Sequence, residues 1–163
     1  MSMLKRKQFF FVPAAAMVAL IILGPGTGRA EDDKSFTGEV VQLAEQAIAP
    51  GEAELTVSIE VPAGYEIMRD VPSLVTVTPA DKSVIGLGEG ADAACKQPQF
   101  PLRLPVKAQA GATRVRVDLL LYYCKQGAGG LCITKQARHV LPVKVDEAAK
   151  NKQLQVSFKL PAI

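Results

Sequence analysis

The stretch Arg114-Val115-Arg116-Val117-Asp118-Leu119-Leu120-Leu121-Tyr122-Tyr123-Cys124 decides the fold class. Val115, Val117, Leu119, Leu121 and Tyr123 fall on one face at period two, the mark of a strand with a buried side. The other face starts polar with Arg114, Arg116 and Asp118, then turns apolar at Leu120 and Tyr122. That switch predicts an outer face that becomes covered as the strand approaches Cys124. Leu55, Val57, Ile59 and Val61 repeat the alternation upstream, and Leu154, Val156, Phe158 and Leu160 repeat it near the C-terminus. Further strands are expected over 38–44, 73–79, 83–87, 100–107 and 138–145. Turn signals separate them at Pro50-Gly51, Pro62-Ala63-Gly64, Pro79-Ala80-Asp81, Gly111 and Gly127 to Gly130. Helix signals are weak: a short turn over 42–49 and a helical turn or loop over 146–151. Short strands at this spacing predict an all-β chain folded as an immunoglobulin-like antiparallel β-sandwich over residues 37–163. Pro98, Pro101 and Pro105 remove ladder donors, so 100–107 is expected at a sheet edge.

The first thirty residues have a different design. Lys5, Arg6 and Lys7 precede an apolar run from Phe9 to Leu23, and a Gly/Pro-rich stretch ends in Gly28-Arg29-Ala30. This is the layout of a secretory signal peptide cut after Ala30. The apolar run is shorter than the roughly 20 residues a spanning helix needs. The chain is therefore expected in the periplasm, touching the membrane only during export, with residues 31–36 as a flexible lead. Four of the nineteen basic residues and none of the sixteen acidic ones lie in residues 1–30, so residues 31–163 carry fifteen basic groups against sixteen acidic. The concentrated positive field that nucleic-acid binding requires is missing. The single histidine, His139, argues against a multi-histidine metal site and against a histidine-based triad; it is expected on a strand surface. No Gly-x-Ser-x-Gly occurs, and Gly86-Leu87-Gly88-Glu89-Gly90 lacks the βαβ setting of a phosphate cradle.

Three cysteines remain: Cys95, Cys124 and Cys132. Export places them where disulfides persist. Seven residues, three of them glycine, separate Cys124 from Cys132, which allows the two sulfurs to meet across the mouth of a hairpin. Closing so short a loop is worth about 2.5–3 kcal/mol by chain entropy, which suits a structural staple. A bond on a glycine-rich loop is equally one that an attacking thiolate can reach. Both readings stand at this point. Cys95 lies in an expected loop, either as a buried inert thiol or as a reactive one whose pKa Lys96 depresses. Soft-metal carriage by Cys124, Cys132, His139, Met68 or Cys95 has little to recommend it without a Cys-x-x-Cys.

The run Val117 to Cys124, the glycine-rich loop, Leu131-Cys132 and the strand through Leu141-Pro142-Val143 resemble the N-terminal periplasmic domain of the DsbD thiol:disulfide interchange family. They are similar also to the β-domain at the C-terminal end of NHL-repeat thioredoxin-like proteins. Val61-Pro62-Ala63-Gly64-Tyr65-Glu66-Ile67 suits the same group, in which a Pro-x-Gly-Tyr turn precedes a strand. The resemblance implies an immunoglobulin-like domain that takes up electrons through Cys124 and Cys132 and passes them to thioredoxin-fold or membrane thiol-redox partners. No cofactor and no metal are expected, and the chain is expected to be a monomer. By analogy, Cys124 is the sulfur a partner attacks. Tyr122, Tyr123 and Lys125 would then flank the pair as shielding or docking residues, with Tyr123 on the packed face and Tyr122 beside the cysteines. Lys125 or Lys135 would stabilise a thiolate if it points inward, and would otherwise solvate the loop.

Overall fold

The alternating stretches become strands because each has one apolar face to bury and backbone groups to pair. The computed structural model describes residues 36–91, 93–127 and 130–162. The expected signal segment and residues 31–35 lie outside the described residues. The strands are β1 (Glu39–Gln42), β2 (Gln46–Ile48), β3 (Gly51–Glu60), β4 (Tyr65–Ile67), β5 (Leu74–Pro79), β6 (Ile85–Leu87), β7 (Ala94–Lys96), β8 (Leu102–Ala108), β9 (Gly111–Lys125), β10 (Cys132–Val145) and β11 (Gln153–Lys159). Among the described residues there is no helix. The described residues are all-β, in two sheets. The larger runs β1-β10-β9-β5-β7, with β2 also on β10 and β4 also on β9; the smaller runs β11-β3-β8-β6.

One core lies between the sheets. Val115, Val117, Leu119, Leu121 and Tyr123 of β9 meet Leu55 and Val57 of β3, Leu104 and Val106 of β8, and Leu154, Val156 and Phe158 of β11. Fully burying one such aliphatic side chain is worth about 1.5–3 kcal/mol. This shared interior makes the described residues one compact unit.

Several expectations need correction. The sheets are not purely antiparallel: β1 and β2 pair with β10 in parallel, and β11 pairs in parallel with β3. Parallel neighbours need a crossover in place of a hairpin. The chain supplies it by changing sheets at Pro50-Gly51 and again between β10 and β11. The stretch 42–49 makes no helical turn; Gln46–Ile48 pairs with β10, and Ile48 is buried in the core. The loop expected around Cys95 contains β7, paired with β5.

The proline-rich strand is not at the edge either. β8 pairs with β3 on one side and β6 on the other, leaving β11 and β6 as edges. Pro98 and Pro101 precede it. The Pro105 carbonyl accepts a hydrogen bond from the Gly88 amide at 2.7 Å. The ring nitrogen therefore also faces the β6 side, just past the last β6 pair at Leu87 and Val106. No ladder donor is required there, which is why proline is tolerated. A Cβ on Gly88 would come within 2.9 Å of Pro105, so only glycine permits that approach.

The open edge of β11 is met by a side chain. The Gln46 amide donates to the Gln155 carbonyl at 2.8 Å and accepts from the Gln155 N–H at 2.9 Å. One glutamine thus pairs with β11 as a short strand would, joining the two sheets where edge groups would otherwise stay open.

Candidate functional site

The β9–β10 hairpin runs in unbroken register from Gly111–Val145 to Cys124–Cys132. The Lys125 amide donates to the Leu131 carbonyl at 3.0 Å, so 125 and 131 form a hydrogen-bonded pair and 124 and 132 the next, non-hydrogen-bonded one. Side chains approach most closely at such pairs. The two cysteines are joined there as a disulfide, with a Cα–Cα distance of 4.0 Å. The loop that carries the chain between them depends on glycine. Gly127 has φ +108°, and a Cβ on Gly130 would collide with the Lys125 carbonyl. The Gln126 amide also donates to the Gly64 carbonyl at 2.8 Å, tying the hairpin tip to the turn before β4.

Alternation along β9 decides what surrounds the bond. Odd positions point into the core, so even positions, Cys124 among them, point to the outer face of the larger sheet. Tyr122 is half-buried on that same face, opposite Thr134. Tyr123 is on the other: its ring is fully buried, lies 5.8 Å from Tyr65, and its hydroxyl donates to the Pro161 carbonyl at 3.1 Å. Burial raises the Tyr123 pKa. Tyr123 is therefore a packing residue, and the docking role considered for it passes to Tyr122 alone.

The lysines fall on the wrong face. Lys125 and Lys135 are at odd positions, across the sheet from the disulfide. Lys135 forms an ion pair with Glu39, whose carboxyl is held below its ordinary pKa by that contact. The charged residue directly opposite Cys124 is Glu66 of β4, which shares the disulfide's face. A carboxylate there disfavours a thiolate. The sequence carried this signal, since Glu66 stands one residue after the Gly-Tyr turn, but only the β4–β9 register reveals it.

The two sulfurs have unequal surroundings. Cys124 lies between β10 and β4 and is 6% exposed. Cys132 is exposed, next to Leu131, which is 61% exposed. No family model and no curated protein matches the chain. The reading of the site thus rests on this geometry.

The remaining candidates do not converge on the disulfide. Cys95 sits half-buried on β7 opposite Val75, on the core face. His139 is not a surface residue: it points into the core and stacks on Phe158, with ring centroids 3.9 Å apart. Burial lowers its pKa, opposed by the Glu39 carboxylate, and its Nδ1 is buried without a hydrogen-bond partner. Among the described residues no three His, Cys, Asp or Glu side chains gather as a metal site. A cleft of about 440 Å³ opens beyond β4, lined by Ile67, Met68, Arg69 and Phe100 among others. None of the cysteines lines it.

Proposed function

We propose that the protein is an exported thiol:disulfide exchange protein whose working group is the Cys124–Cys132 bond. The observation that carries this reading is the asymmetry of the pair, one cysteine buried in the sheet and the other exposed at its end. A bond used only as a staple has no need of an exposed half, whereas exchange needs one accessible sulfur and one that can leave.

The reaction balances without a cofactor. A partner thiolate attacks one sulfur, forming a mixed disulfide, and the S–S bond breaks. The released cysteine leaves as a thiolate and takes up a proton. A second thiol on the partner then attacks the partner's own sulfur in the mixed disulfide. Two electrons have passed to Cys124 and Cys132, and the partner holds the new disulfide. Run backwards, the pair reduces a partner. The partners implied are thioredoxin-fold or membrane thiol-redox proteins.

In this reading the two sheets and shared core are an immunoglobulin-like sandwich of the DsbD N-terminal type. Residues 1–30 direct export to the periplasm, with cleavage after Ala30. Exposure supports Cys132 over Cys124 as the sulfur attacked, reversing the analogy drawn from the sequence. Equilibrating residues 31–163 in graded glutathione and dithiothreitol buffers, then alkylating and mapping the cysteines, tests the proposal. A couple above about −250 mV is expected; one below about −300 mV makes the bond a staple and the protein an interaction module.

A further inference from the structure

In a strand, alternate residues aim their N–H and C=O groups at opposite neighbours. Leu131 aims its groups at β9, since its carbonyl accepts from Lys125. Cys132 and Thr134 therefore aim theirs at the other flank of β10. Farther along, that flank is filled by β1, from Ala137 to Val140. The parity agrees, because the Val140 carbonyl accepts from the Leu43 amide at 2.9 Å. Beside Gln136 the same flank is met by the lead into β1, where a Cβ on Gly38 would come within 2.7 Å of the Gln136 carbonyl oxygen. Nearer the hairpin tip no strand among the described residues pairs with it, and Cys132 and Thr134 are exposed.

We infer that this open edge of β10, Cys132 to Thr134, receives an extended cysteine-bearing segment of the exchange partner as an added strand. The inference rests on the proposed exchange activity. Three observations select this occupant. The outward backbone groups stand in a row that an extended backbone satisfies. The cysteine at the end of that row is the exposed one of the pair. The neighbouring stretch of the same flank already accepts a strand, β1, so the added segment continues an existing sheet edge.

The geometry also orders the chemistry. Strands in a sheet lie about 4.8 Å apart, and directly opposite residues share a face. Cys124 lies on one side of Cys132, and a residue of the added strand lies on the other. An antiparallel segment with its cysteine opposite Cys132 lines up three sulfurs across the strands. The incoming sulfur and Cys124 are then on opposite sides of the Cys132 sulfur, as displacement requires. The Cα separation at such a pair, about 5.5 Å, lies within the range a disulfide spans. The same approach to Cys124 is blocked, because the side from which it would be attacked is occupied by β4 with Glu66. The bond formed is partner sulfur to Cys132, and the bond broken is Cys132 to Cys124. Cys124 departs as the thiolate and is then protonated.

The test uses the full chain with Cys124→Ser, its Cys132 activated as a thionitrobenzoate mixed disulfide, so that attack releases a coloured thiolate. The probe is a synthetic peptide with one cysteine between β-branched residues. Three versions are compared: unmodified, N-methylated at the cysteine and at the residue two before it, and N-methylated at the intervening residue. In the antiparallel pairing the first two amides face β10 and the third faces away. Expected is a loss of about tenfold in rate for the doubly methylated peptide, as two missing backbone hydrogen bonds imply, and no change for the third. Thr134→Pro, which removes an outward N–H and leaves the β9 ladder intact, should slow the unmodified peptide similarly while glutathione reacts at its original rate. Equal rates for all three peptides overturn the inference. So does protection of the Cys132 and Thr134 amides from hydrogen exchange in the protein alone, since the edge is then already filled by the chain's own residues. A reduction potential below about −300 mV together with the methylation pattern expected above would sink the exchange activity but not the docking edge.

Discussion

Two cross-strand pairs on the same face of the β9–β10 hairpin, Asp118–Arg138 and Cys124–Cys132, sit in the same register and have opposite characters. The Arg138 Nε donates to Asp118 Oδ1 at 2.6 Å and a terminal nitrogen donates to Oδ2 at 3.1 Å. Arg116 approaches the same carboxylate at 3.4 Å, and the Phe36 ring lies 4.1 Å from the Arg138 guanidinium. Strands flank this pair on both sides: β5 places Thr76 beside Asp118, and β1 places Val40 beside Arg138. Arg138 is 4% exposed. The disulfide, six residues along β9, has β4 beside Cys124 and no described strand beside Cys132. The lesson is that flanking strands decide which cross-strand pair is scaffold and which is available for chemistry.

The largest effect expected from breaking this contrast is on the closed pair. Arg138→Met removes the guanidinium from a partly buried carboxylate and from the Phe36 ring. Losing one partner of a buried ion pair costs about 3–5 kcal/mol. With Arg116 still beside the carboxylate, the lower end, about 3 kcal/mol, is expected, and urea unfolding measures it. A loss below about 1 kcal/mol, the range of surface pairs, would mean that enclosure contributes little and the contrast with the disulfide is false. Removing the open pair should cost less. Cys124→Ala with Cys132→Ala gives up about 2.5 kcal/mol of loop-closure entropy, and the far-ultraviolet spectrum should be unchanged. A double variant that fails to fold would make the disulfide a structural necessity of the hairpin.

How much of this could be read from the sequence follows from the range of the interactions. The core face of β9 and the Cys124–Cys132 bridge were legible because alternation and a short glycine loop are local properties. The assignment of Tyr123 to packing followed from the same parity. That parity also puts Lys125 and Lys135 across the sheet from the sulfurs, but sequence neighbourhood concealed it: Lys125 adjoins Cys124 in the chain and points the other way. What local pattern does not carry is the identity of the flanks. Val40 meets Arg138 and Glu66 meets Cys124 only through pairings between segments far apart in the chain. His139 was misplaced for a related reason, since its polar ring hid an inward position that Ala137 and Leu141 share. The position of Cys95 on a strand was hidden too, because β7 has only three residues and gains its regularity from β5.

The smallest effect concerns the unequal flanks of the disulfide itself. Cys124 is buried and faces the Glu66 carboxylate, and both features disfavour the negative charge its sulfur gains as the bond breaks. A leaving thiolate that is less stabilised departs more slowly. Glu66→Gln keeps the shape of the side chain and removes its charge. Because Glu66 is exposed, the interaction is screened, and at a directly opposite position it is worth on the order of 1 kcal/mol or less. Reduction of the Cys124–Cys132 bond by dithiothreitol should therefore quicken by about two- to threefold in Glu66→Gln, only part of that energy being felt in the transition state. The gain should shrink at high salt, where exposed charges no longer reach one another. A salt-independent gain would point to altered packing of β4 in place of charge. An unchanged rate would place the rate-determining contact wholly on the Cys132 side, making access at the open edge, with the leaving sulfur contributing nothing, the feature that separates this pair from Asp118–Arg138.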